Sequence, residues 1–436
     1  MEMIDRILRG SNLDDALEHV RKNKGSAGID GMPVDELESY FAEHGKELVE
    51  SIRNGTYKPV AVKRVYIPKP NGKKRPLGIP TVVDRVLQQA TAQQLAPVFE
   101  QIFSEYSYGF RPGRSPQQAV LKAVEYLNEG YEWIIDLDIE KFLDKVNQDK
   151  LISCIRKQVN ESEVLGLIRK FLKAGVMENG VKQSTEEGTP QGGPLSPLLA
   201  NIYLNEFDKE LEKRGLRFVR YADDCIIFTR SEKAANRVMN SVAEWLRRKL
   251  FLKVSAEKTK VVRPGKSKFL GFSFWKSTKD GWRCKVHEAS KARIRDNIRK
   301  ATIRRKAAAI PLAVTIRDVN QKLEGWINYY RLGDMNTFLK SELGPWVRHR
   351  IRVIILKQWK RRGTMIENLW KLNRKNRNGF THERIFAQCM TRTGWYRLGC
   401  NDVVNFILNP KLLNTKTEER PSLVDPLEYY LAKQSC

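Results

Sequence analysis

The stretch FVRYADDCIIFTR, residues 218–230, sets two adjacent aspartates between two apolar runs. The aromatic and β-branched residues on each side predict two strands, and the short polar segment between them predicts a tight turn. Asp223 and Asp224 are therefore expected at the tip of a hairpin whose arms are buried. Two carboxylates this close repel each other unless a cation offsets their charge. A pair of solvated turn residues is the alternative, and the surrounding sequence has to separate the two readings.

A third carboxylate stands at the end of another expected strand. In YEWIIDLDIEKFLDKV, residues 131–146, the residues alternate up to Asp138, and a helix is expected a few positions later. Carboxylates, water and phosphate oxygens are the ligands that Mg²⁺ prefers. Two such ions about 4 Å apart can activate an attacking hydroxyl group and hold a leaving phosphate. We therefore expect Asp138, Asp223 and Asp224 to bind Mg²⁺, with the peptide carbonyl of Ile139 as a further ligand.

The chain carries a large and uneven excess of positive charge. The formal net charge is +27, and residues 276–400 contain 30 lysines and arginines against 9 aspartates and glutamates, which is 21 of the 27 charges. Tryptophans and tyrosines are interleaved with the cations and offer stacking surfaces for bases. This balance indicates a polyanionic partner, most simply nucleic acid, with a well-solvated basic surface as the alternative.

Length and composition exclude several other classes. A chain of 436 residues is too long for one compact core, so two to four subdomains are expected. The six cysteines have no CxxC spacing, and neither a disulfide framework nor a zinc site is predicted. The N-terminus MEMIDRILRG is charged, and no run approaches 18 apolar residues, so no signal peptide or membrane span is expected.

The coarse order of elements predicts an α+β fold. Residues 60–80 are expected to form a β-hairpin with its turn at KPNGKK, and residues 188–211 a glycine- and proline-rich loop that leads into a long helix. Residues 288–359 are expected to be mostly helical and basic. One carboxylate at the end of a strand and two at a second tip, with helices between, are typical of an α+β palm.

Eight motifs together resemble one protein family. The reverse transcriptase blocks occur in their usual order, as IPKPNGKKRPLGIPTVVDRVLQQA, SYGFRPGRS, DIEKFLDKV, GTPQGGPLSPLLANIYL, YADD and KFLGF. KGSAGIDG is similar to the N-terminal motif zero, and KLEGWINYYR (322–331) to the maturase thumb, of bacterial group II intron-encoded proteins. The resemblance covers nearly the whole chain and is to the endonuclease-lacking form of these reverse transcriptases and maturases.

The resemblance implies a right-hand polymerase-like fold of the α+β class. An N-terminal extension with motif zero would cover residues 1–35, and the fingers and palm residues 36–275. A helical, basic thumb or maturase domain would cover residues 276–360, and a basic nucleic-acid-binding segment residues 361–436. No cluster of cysteines and histidines suits an HNH endonuclease, so none is expected.

The same resemblance implies an RNA-directed DNA polymerase, a nucleotidyltransferase that copies RNA into cDNA with two Mg²⁺ ions, or with Mn²⁺ in their place. Its partners would be the intron RNA, an RNA template, a DNA primer or target, and dNTPs. Binding of the intron RNA would assist splicing and retrohoming of the mobile element. The expected location is the bacterial cytoplasm, with no membrane partner, and the sequence leaves open whether the chain acts as a monomer or a homodimer.

Two alternatives remain within the resemblance. A maturase-only protein would bind intron RNA as a splicing cofactor on a decayed polymerase fold, but the three aspartates and their flanking motifs are intact. A reverse transcriptase co-opted for phage defence would share the palm motifs, yet it should lack the GWINYY segment that is present here.

The resemblance also assigns side chains at the polymerase site. Asp138, Asp223 and Asp224 match the family's metal-binding triad. A flexible lysine and a forked arginine suit phosphate oxygens, and the contacts to the dNTP would be Lys69, Arg75, Leu143, Gln191 and Lys258, with Lys253 and Lys260 as rivals of Lys258.

Leu143 departs from the family pattern. Five positions after the first metal aspartate the family usually has an aromatic residue, which acts as a steric gate against the 2′-hydroxyl of a ribonucleotide. Either Leu143 serves as a smaller gate or Phe142 contributes, so sugar selection follows from the resemblance less directly than catalysis.

The remaining candidates are basic residues that are expected to contact nucleic-acid phosphates. Two lie in the SYGFRPGRS loop, and nine form three clusters in the basic C-terminal part of the chain. They are Arg111, Arg114, Arg304, Arg305, Lys306, Arg348, Arg350, Arg352, Lys360, Arg361 and Arg362.

Overall fold

The computed structural model describes residues 1–68, 72, 74–178, 180–189, 192–418 and 420–434. These residues divide into two compact units, residues 1–270 (unit 1) and residues 271–436 (unit 2). Helices and strands are mixed as the α+β prediction requires. None of the helices in the described part of the chain is long and apolar enough to cross a membrane.

Unit 1 contains ten α-helices and eight strands among its described residues. The helices are α1 (Met3–Ile7), α2 (Gly10–Lys22), α3 (Leu37–Arg53), α4 (Val82–Glu100), α5 (Pro116–Asn128), α6 (Phe142–Lys145), α7 (Gln148–Arg156), α8 (Ser162–Leu172), α9 (Ser196–Lys213) and α10 (Glu232–Lys249). The strands are β1 (Val62–Pro68), β2 (Lys74–Ile79), β3 (Trp133–Leu137), β4 (Val176–Glu178), β5 (Val181–Gln183), β6 (Arg217–Tyr221), β7 (Asp224–Thr229) and β8 (Lys260–Val262).

The first sheet of unit 1 has the order β6-β7-β3-β8 and carries the aspartate hairpin. β6 and β7 are antiparallel neighbours, and β7 pairs antiparallel with β3, with Leu137 opposite Cys225. Most residues of the central strands are apolar: Ile134 and Ile135 are fully buried, and so is Ile227. Helices α5 and α9 pack against β6, and α10 against β3 and β7.

The second sheet of unit 1 has the order β2-β1-β4-β5. β1 and β2 form the hairpin expected for residues 60–80, and β1 continues into a short parallel pairing with β4. The helix that follows begins at a defined cap, because the Thr81 side chain accepts a hydrogen bond from the backbone N–H of Asp84 at 3.1 Å. Ser115 and Gln118 form a capping box at the start of α5, which fixes the end of the SYGFRPGRS loop.

Unit 2 begins with a two-stranded antiparallel ribbon and is otherwise helical in its described part. The strands are β9 (Phe272–Ser277) and β10 (Gly281–Val286). The helices are α11 (Glu288–Ala301), α12 (Arg304–Ala307), α13 (Leu312–Tyr330), α14 (Gly344–Gln358), α15 (Arg362–Lys375), α16 (His382–Cys389), α17 (Trp395–Leu398), α18 (Asp402–Ile407), α19 (Pro410–Asn414) and α20 (Pro426–Gln434), with a π-helical turn at Phe338–Leu343 before α14. One apolar core runs through these helices and includes Ile316, Leu323 and Ile354.

Candidate active site

The two adjacent aspartates lie at the turn between β6 and β7, as the sequence predicts. Tyr221 pairs with Asp224 at the last rung of the hairpin, and Ala222 has a left-handed backbone with φ of +56°. A left-handed non-glycine residue is uncommon and has to be held in place by its surroundings. Gly109 lies directly against this turn, and a Cβ atom there would be 2.3 Å from the backbone nitrogen of Ala222. The glycine of the SYGF motif is therefore required by the close approach of two backbones.

A buried arginine supports the turn from below. The side chain of Arg220 is 1% exposed, and its Nε donates to Oδ1 of Asp208 at 2.7 Å. Its Nη1 donates to the carbonyl of Ala222 at 2.8 Å and to Oδ1 of Asn201 at 3.0 Å. The amide of Asn201 in turn donates to the carbonyl of Gly109 at 2.8 Å. The network therefore ties the strained turn to the long helix α9.

Sequence reasoning missed this network. The available signal was Arg220 itself, a cation in the middle of an apolar strand and three positions before the first aspartate. A buried charge needs a partner, but nothing in the sequence pattern singles out Asp208 as that partner. The pairing of α9 with β6 is what brings the two together.

Asp138 lies beside the hairpin. Continuing the β3–β7 register by one residue beyond Leu137 and Cys225 brings Asp138 opposite Asp224. Its carboxylate accepts hydrogen bonds from Nζ of Lys258 at 2.9 and 3.0 Å, so the predicted dNTP-binding lysine is an ion-pair partner of the first aspartate in this structure.

The acidic tip is electrostatically strained. Asp224 is exposed, yet the pKa of its carboxyl is raised to about 6, first by loss of hydration at the crowded tip and then by the charges of Asp223, Asp136 and Asp138. Burial also raises the pKa of Asp136 to about 6; Lys260 opposes this rise, and the charge of Asp138 adds to it. Asp136 is thus a fourth carboxylate at the site, and the sequence had not assigned it a role.

The donor set fits a hard divalent cation in chemistry. Carboxylate oxygens on neighbouring strand ends, crowded enough to raise a pKa, are the environment that such a cation relieves. Across the described part of the chain, however, no group of three or more His, Cys, Asp or Glu side chains is arranged to hold a metal ion as it stands. Ile139, the predicted carbonyl ligand, forms an isolated bridge with Val254. A metal ion bound by Asp138 would compete with the amine of Lys258 for the same carboxylate.

A cavity of about 580 Å³ adjoins the tip. Asp223 and Ala222 line one side of it, and Leu143 and Phe142 line another. Arg75 of β2 is also part of the wall. Leu143 is only partly buried, whereas Phe142 is 4% exposed and belongs to the core. Of the two alternatives for a sugar gate, Leu143 therefore has the better access to the cavity.

Gly192 and Gly193 line the same cavity. Lys69 and Gln191 both lie outside the described residues, so their predicted dNTP contacts stay predictions. Gly192 lines the cavity with φ of +112°, and a Cβ atom there would be 2.4 Å from the carbonyl oxygen of Gly78 in β2. The glycine thus allows the loop to pack directly on the strand that carries Arg75.

One of the two basic candidates in the SYGFRPGRS loop is structural. Arg111 is 8% exposed; its guanidinium pairs with Glu100 at 2.6 Å and donates to the carbonyl of Ser107 at 2.8 Å. A buried and fully engaged guanidinium cannot reach a phosphate, so we withdraw Arg111 from the predicted nucleic-acid contacts. Arg114 is partly exposed and stacks on Tyr108, with 5.5 Å from the guanidinium carbon to the ring centroid.

The basic clusters of unit 2 fall into two kinds. Five residues are exposed and remain candidates for phosphate contacts: Arg304, Arg305, Lys306, Lys360 and Arg361. Arg348 instead pairs with Asp425 at 3.0 Å. Arg362 donates to the carbonyl of Cys389 and stacks on Trp395.

Two more arginines of these clusters stabilise the fold of unit 2. Arg350 donates to the carbonyl of Thr302 at 2.8 Å and is half-buried. Arg352 is 6% exposed and donates to the carbonyl of Leu408 at 2.8 Å; burial, with the charge of Arg348 nearby, lowers its pKa to about 10. Arg352 is therefore not expected to contact nucleic acid, because its guanidinium is buried and donates to a buried carbonyl.

Two protein-family models match the chain, one after the other. Residues 67–274 match the reverse transcriptase (RNA-dependent DNA polymerase) family, and residues 291–375 match the group II intron, maturase-specific domain. The first match contains the three aspartates and most of the residues that line the cavity. The second lies within unit 2 and contains the exposed cations.

Curated relatives match as well. The group II intron-encoded protein LtrA of Lactococcus lactis subsp. cremoris is 41% identical over 212 residues, which is 48% of this chain and 35% of LtrA. Protein YkfC of Escherichia coli (strain K12) is 32% identical over 278 residues, which is 55% of this chain and 73% of YkfC. Nuclear intron maturase 1, mitochondrial, of Arabidopsis thaliana is 30% identical over 198 residues, which is 34% of this chain and 27% of that protein.

The chain thus spans about a third of the length of LtrA and most of the length of YkfC. Its two matched domains follow each other in the order that the motifs of the sequence predict. The chain belongs to the family of group II intron-encoded proteins, with a reverse transcriptase domain followed by a maturase-specific domain.

Proposed function

We propose that this chain is an RNA-directed DNA polymerase that copies RNA into cDNA. The observation that carries the proposal is the convergence of Asp138, Asp223 and Asp224 on neighbouring strand ends. Asp223 also faces a cavity of about 580 Å³ that Arg75 and Leu143 help to line. Reverse transcriptases generally use a divalent metal ion, and here we propose two Mg²⁺ ions, with Mn²⁺ as the substitute. The carboxylates of the three aspartates would hold them, assisted by the carbonyl of Ile139.

Each side chain then has a distinct task. Bound metal would make the primer 3′-hydroxyl a better nucleophile and offset charge on the triphosphate. Arg75 and Lys69 would bind triphosphate oxygens through charge-assisted hydrogen bonds. Leu143 would lie under the sugar, and Gln191 would contact the sugar and base pair. Arg220 touches no substrate in this account; it positions the turn through the carbonyl of Ala222.

We assign the second activity, binding of the intron RNA, to unit 2. Its support is the match of residues 291–375 to the group II intron maturase-specific domain. Exposed cations at Arg304, Arg305 and Lys306 would contact phosphates there. Binding would assist splicing and retrohoming into a DNA target. The fourfold division into residues 1–35, 36–275, 276–360 and 361–436 remains our proposal for how these tasks are distributed, with the bacterial cytoplasm as the place of action because the RNA and dNTPs are there.

Two other functions are tested by the same experiment. A maturase-only protein would bind intron RNA without making cDNA. A reverse transcriptase of phage defence would make cDNA without binding intron RNA tightly, but the maturase match argues against it. Whether the active form is a monomer or a homodimer does not enter the distinction.

Primer extension is the decisive experiment. The purified full chain is incubated with an RNA template, an annealed DNA primer, dNTPs and Mg²⁺, and full-length cDNA is the expected product. Substitution of Ca²⁺ for Mg²⁺ should leave the primer bound and unextended, which separates binding from chemistry. Absence of extension with Mg²⁺ and with Mn²⁺, on a protein that binds the primer–template, would contradict the polymerase proposal and favour the maturase-only function.

A further inference from the structure

Backbone contacts on both sides of Lys258 hold this residue close to Asp138. The segment that carries it runs alongside the end of β3, and the backbone N–H of Ser255 donates to the carbonyl of Asp138 at 2.8 Å. The N–H of Asp138 donates to Oγ1 of Thr259 at 3.1 Å. Contacts on both sides of Lys258 thus fix the distance from its Cα to the aspartate, and the side chain only has to extend to reach the carboxylate.

The ammonium group of Lys258 contacts both carboxylate oxygens of Asp138. Its Nζ lies 2.9 Å from Oδ1 and 3.0 Å from Oδ2 of Asp138, so both carboxylate oxygens accept a hydrogen bond from the lysine. Within the described residues, neither Asp223 nor Asp224 has a salt-bridge partner of its own. The same part of the chain holds no assembled group of three metal-binding side chains. Lys258 therefore neutralises the carboxylate of Asp138, while those of Asp223 and Asp224 have no such ion pair within the described residues.

The Lys258–Asp138 ion pair is accessible to water and can therefore dissociate. The Lys258 side chain is 63% exposed and that of Asp138 is 30% exposed. Ion pairs in contact with water are weak, because solvent competes for both partners. The contrast is the Arg220–Asp208 pair under the same hairpin, which is 1% and 0% exposed and has no such competitor. A divalent cation carries twice the charge of the amine and can be shared by several carboxylates, so it should displace Lys258 but not Arg220.

We propose that Lys258 is an exchangeable counter-ion of Asp138. In the metal-free protein it occupies the carboxylate and relieves part of the repulsion within the acidic cluster. When a divalent cation binds the carboxylate in its place, the amine is released and becomes available to the oxygens of an incoming triphosphate. The proposal rests on the proposed metal-dependent function, and it adds that binding of the metal and presentation of Lys258 are one coupled event.

Direct titration of the metal tests this coupling without any turnover. The full chain, free of nucleotide and nucleic acid, is titrated with Mn²⁺, and free Mn²⁺ is followed by electron paramagnetic resonance. Lys258→Met should bind Mn²⁺ roughly two- to fivefold more tightly than the unsubstituted chain, the scale of one solvent-exposed ion pair. Lys258→Arg keeps a paired cation and should bind Mn²⁺ as weakly as the unsubstituted chain or more weakly.

Two controls separate a direct contact from a general effect of charge. Lys260→Met removes a neighbouring charge that acts on Asp136 and forms no ion pair with Asp138, so its effect measures the electrostatic field alone and should be the smaller one. In an Asp138→Asn background, Lys258→Met should change Mn²⁺ binding no more than Lys260→Met does. Equal effects of the two lysine substitutions, or no tightening by Lys258→Met, would overturn the counter-ion proposal.

The same titration distinguishes failure of this proposal from failure of the proposed function. If Asp138→Asn and Asp223→Ala weaken Mn²⁺ binding while Lys258→Met leaves it unchanged, the metal site stands and the counter-ion is refuted. If neither aspartate substitution affects Mn²⁺ binding, the metal site itself is refuted, and the counter-ion proposal falls with it.

Discussion

The aspartate hairpin of unit 1 and the basic helices of unit 2 use charge in opposite ways. At the hairpin, three carboxylates are concentrated on neighbouring strand ends, and a buried Arg220–Asp208 pair holds their turn in place. In unit 2 the positive charges are spread over many helices, and several of the arginines, among them Arg350 and Arg352, are engaged in hydrogen bonds inside the unit.

This difference determines how strongly a single substitution should affect function in each region. Chemistry at the hairpin depends on a fixed arrangement of a few atoms, so removal of one group should abolish it. Phosphate binding is a sum of similar weak contributions, so only the exposed cations should count, and they should count additively. Substitutions in the two regions should therefore differ in the size of their effects on catalysis, stability and RNA affinity.

Asp223→Ala should reduce cDNA synthesis by roughly a thousandfold or more, since several kcal/mol of metal-derived stabilisation of the transition state are removed. The thermal midpoint should stay unchanged or rise slightly, because Asp223 is exposed and its removal relieves like-charge repulsion. Single-turnover primer extension and a thermal melt measure the two quantities. A folded variant with normal extension would refute the assignment of Asp223.

Arg220→Met should destabilise the protein by about 3–5 kcal/mol, because it leaves Asp208 buried and unpaired. The double variant Arg220→Met/Asp208→Leu replaces both charges by apolar groups and should recover most of that stability. It should not recover cDNA synthesis, since the anchor of the Ala222 carbonyl is still missing. Denaturant unfolding and kcat with KM for dNTP are the measurements. Recovery of kcat together with stability would mean that Arg220 is only structural.

Reversal of the charges of Arg304, Arg305 and Lys306 to glutamate should lower the slope of log affinity against log salt for intron RNA by about two or three units, roughly one for each phosphate that is no longer neutralised. The matched control is the exposed triplet Arg247, Arg248 and Lys249 at the end of α10, which has the same composition and lies in unit 1. If both reversals change the slope equally, net charge alone governs binding, and the contrast between the regions fails.

Asp136→Asn should stabilise the metal-free protein at pH 8 by about 1–2 kcal/mol. The folded-state pKa of Asp136 is raised to about 6, so its ionised form is disfavoured by folding; that cost is present above pH 6 and disappears as the native state takes up a proton between about pH 6 and pH 4. The stabilisation by asparagine should therefore shrink between pH 8 and pH 4.5. Urea unfolding in EDTA at both pH values decides the matter, and an effect independent of pH would contradict the raised pKa.

Leu143→Phe should sharpen discrimination against ribonucleotides by a few-fold, the scale of a single side-chain contact. A ring on the cavity wall should crowd a 2′-hydroxyl more than a branched aliphatic side chain does. The ratio of kcat/KM for dNTP and rNTP is compared in both proteins. Phe142→Leu, in the buried neighbour, serves as the control and should alter stability more than the ratio.

Much of the hairpin could be predicted because local sequence determines it. The apolar runs on both sides of Asp223 and Asp224 fix two strands, and the alternation before Asp138 fixes a third. Leu143 and Arg75 were assigned by resemblance, and the structure brings both to the cavity beside Asp223. The strands needed only chain order and periodicity, whereas the roles of Leu143 and Arg75 rest on the resemblance.

The supporting contacts could not be predicted, because they join distant segments. Asp208 lies 12 residues from Arg220, and Lys258 lies 120 residues from Asp138. No periodicity relates such positions, and only the tertiary packing of α9 and of the loop before β8 brings them together. For the same reason the sequence could not separate Arg352 from Arg304, since exposure depends on which face of a helix the unit buries.

Measuring primer extension and intron RNA affinity on two variants tests whether unit 1 carries the chemistry and unit 2 the RNA binding. Asp223→Ala and the triple charge reversal at Arg304, Arg305 and Lys306 are each assayed for primer extension on a short template at saturating substrate and low salt, and for intron RNA affinity. The division of labour predicts that Asp223→Ala loses extension and keeps RNA affinity. It predicts that the triple variant keeps extension and loses RNA affinity. Loss of both activities together in either folded variant would contradict it.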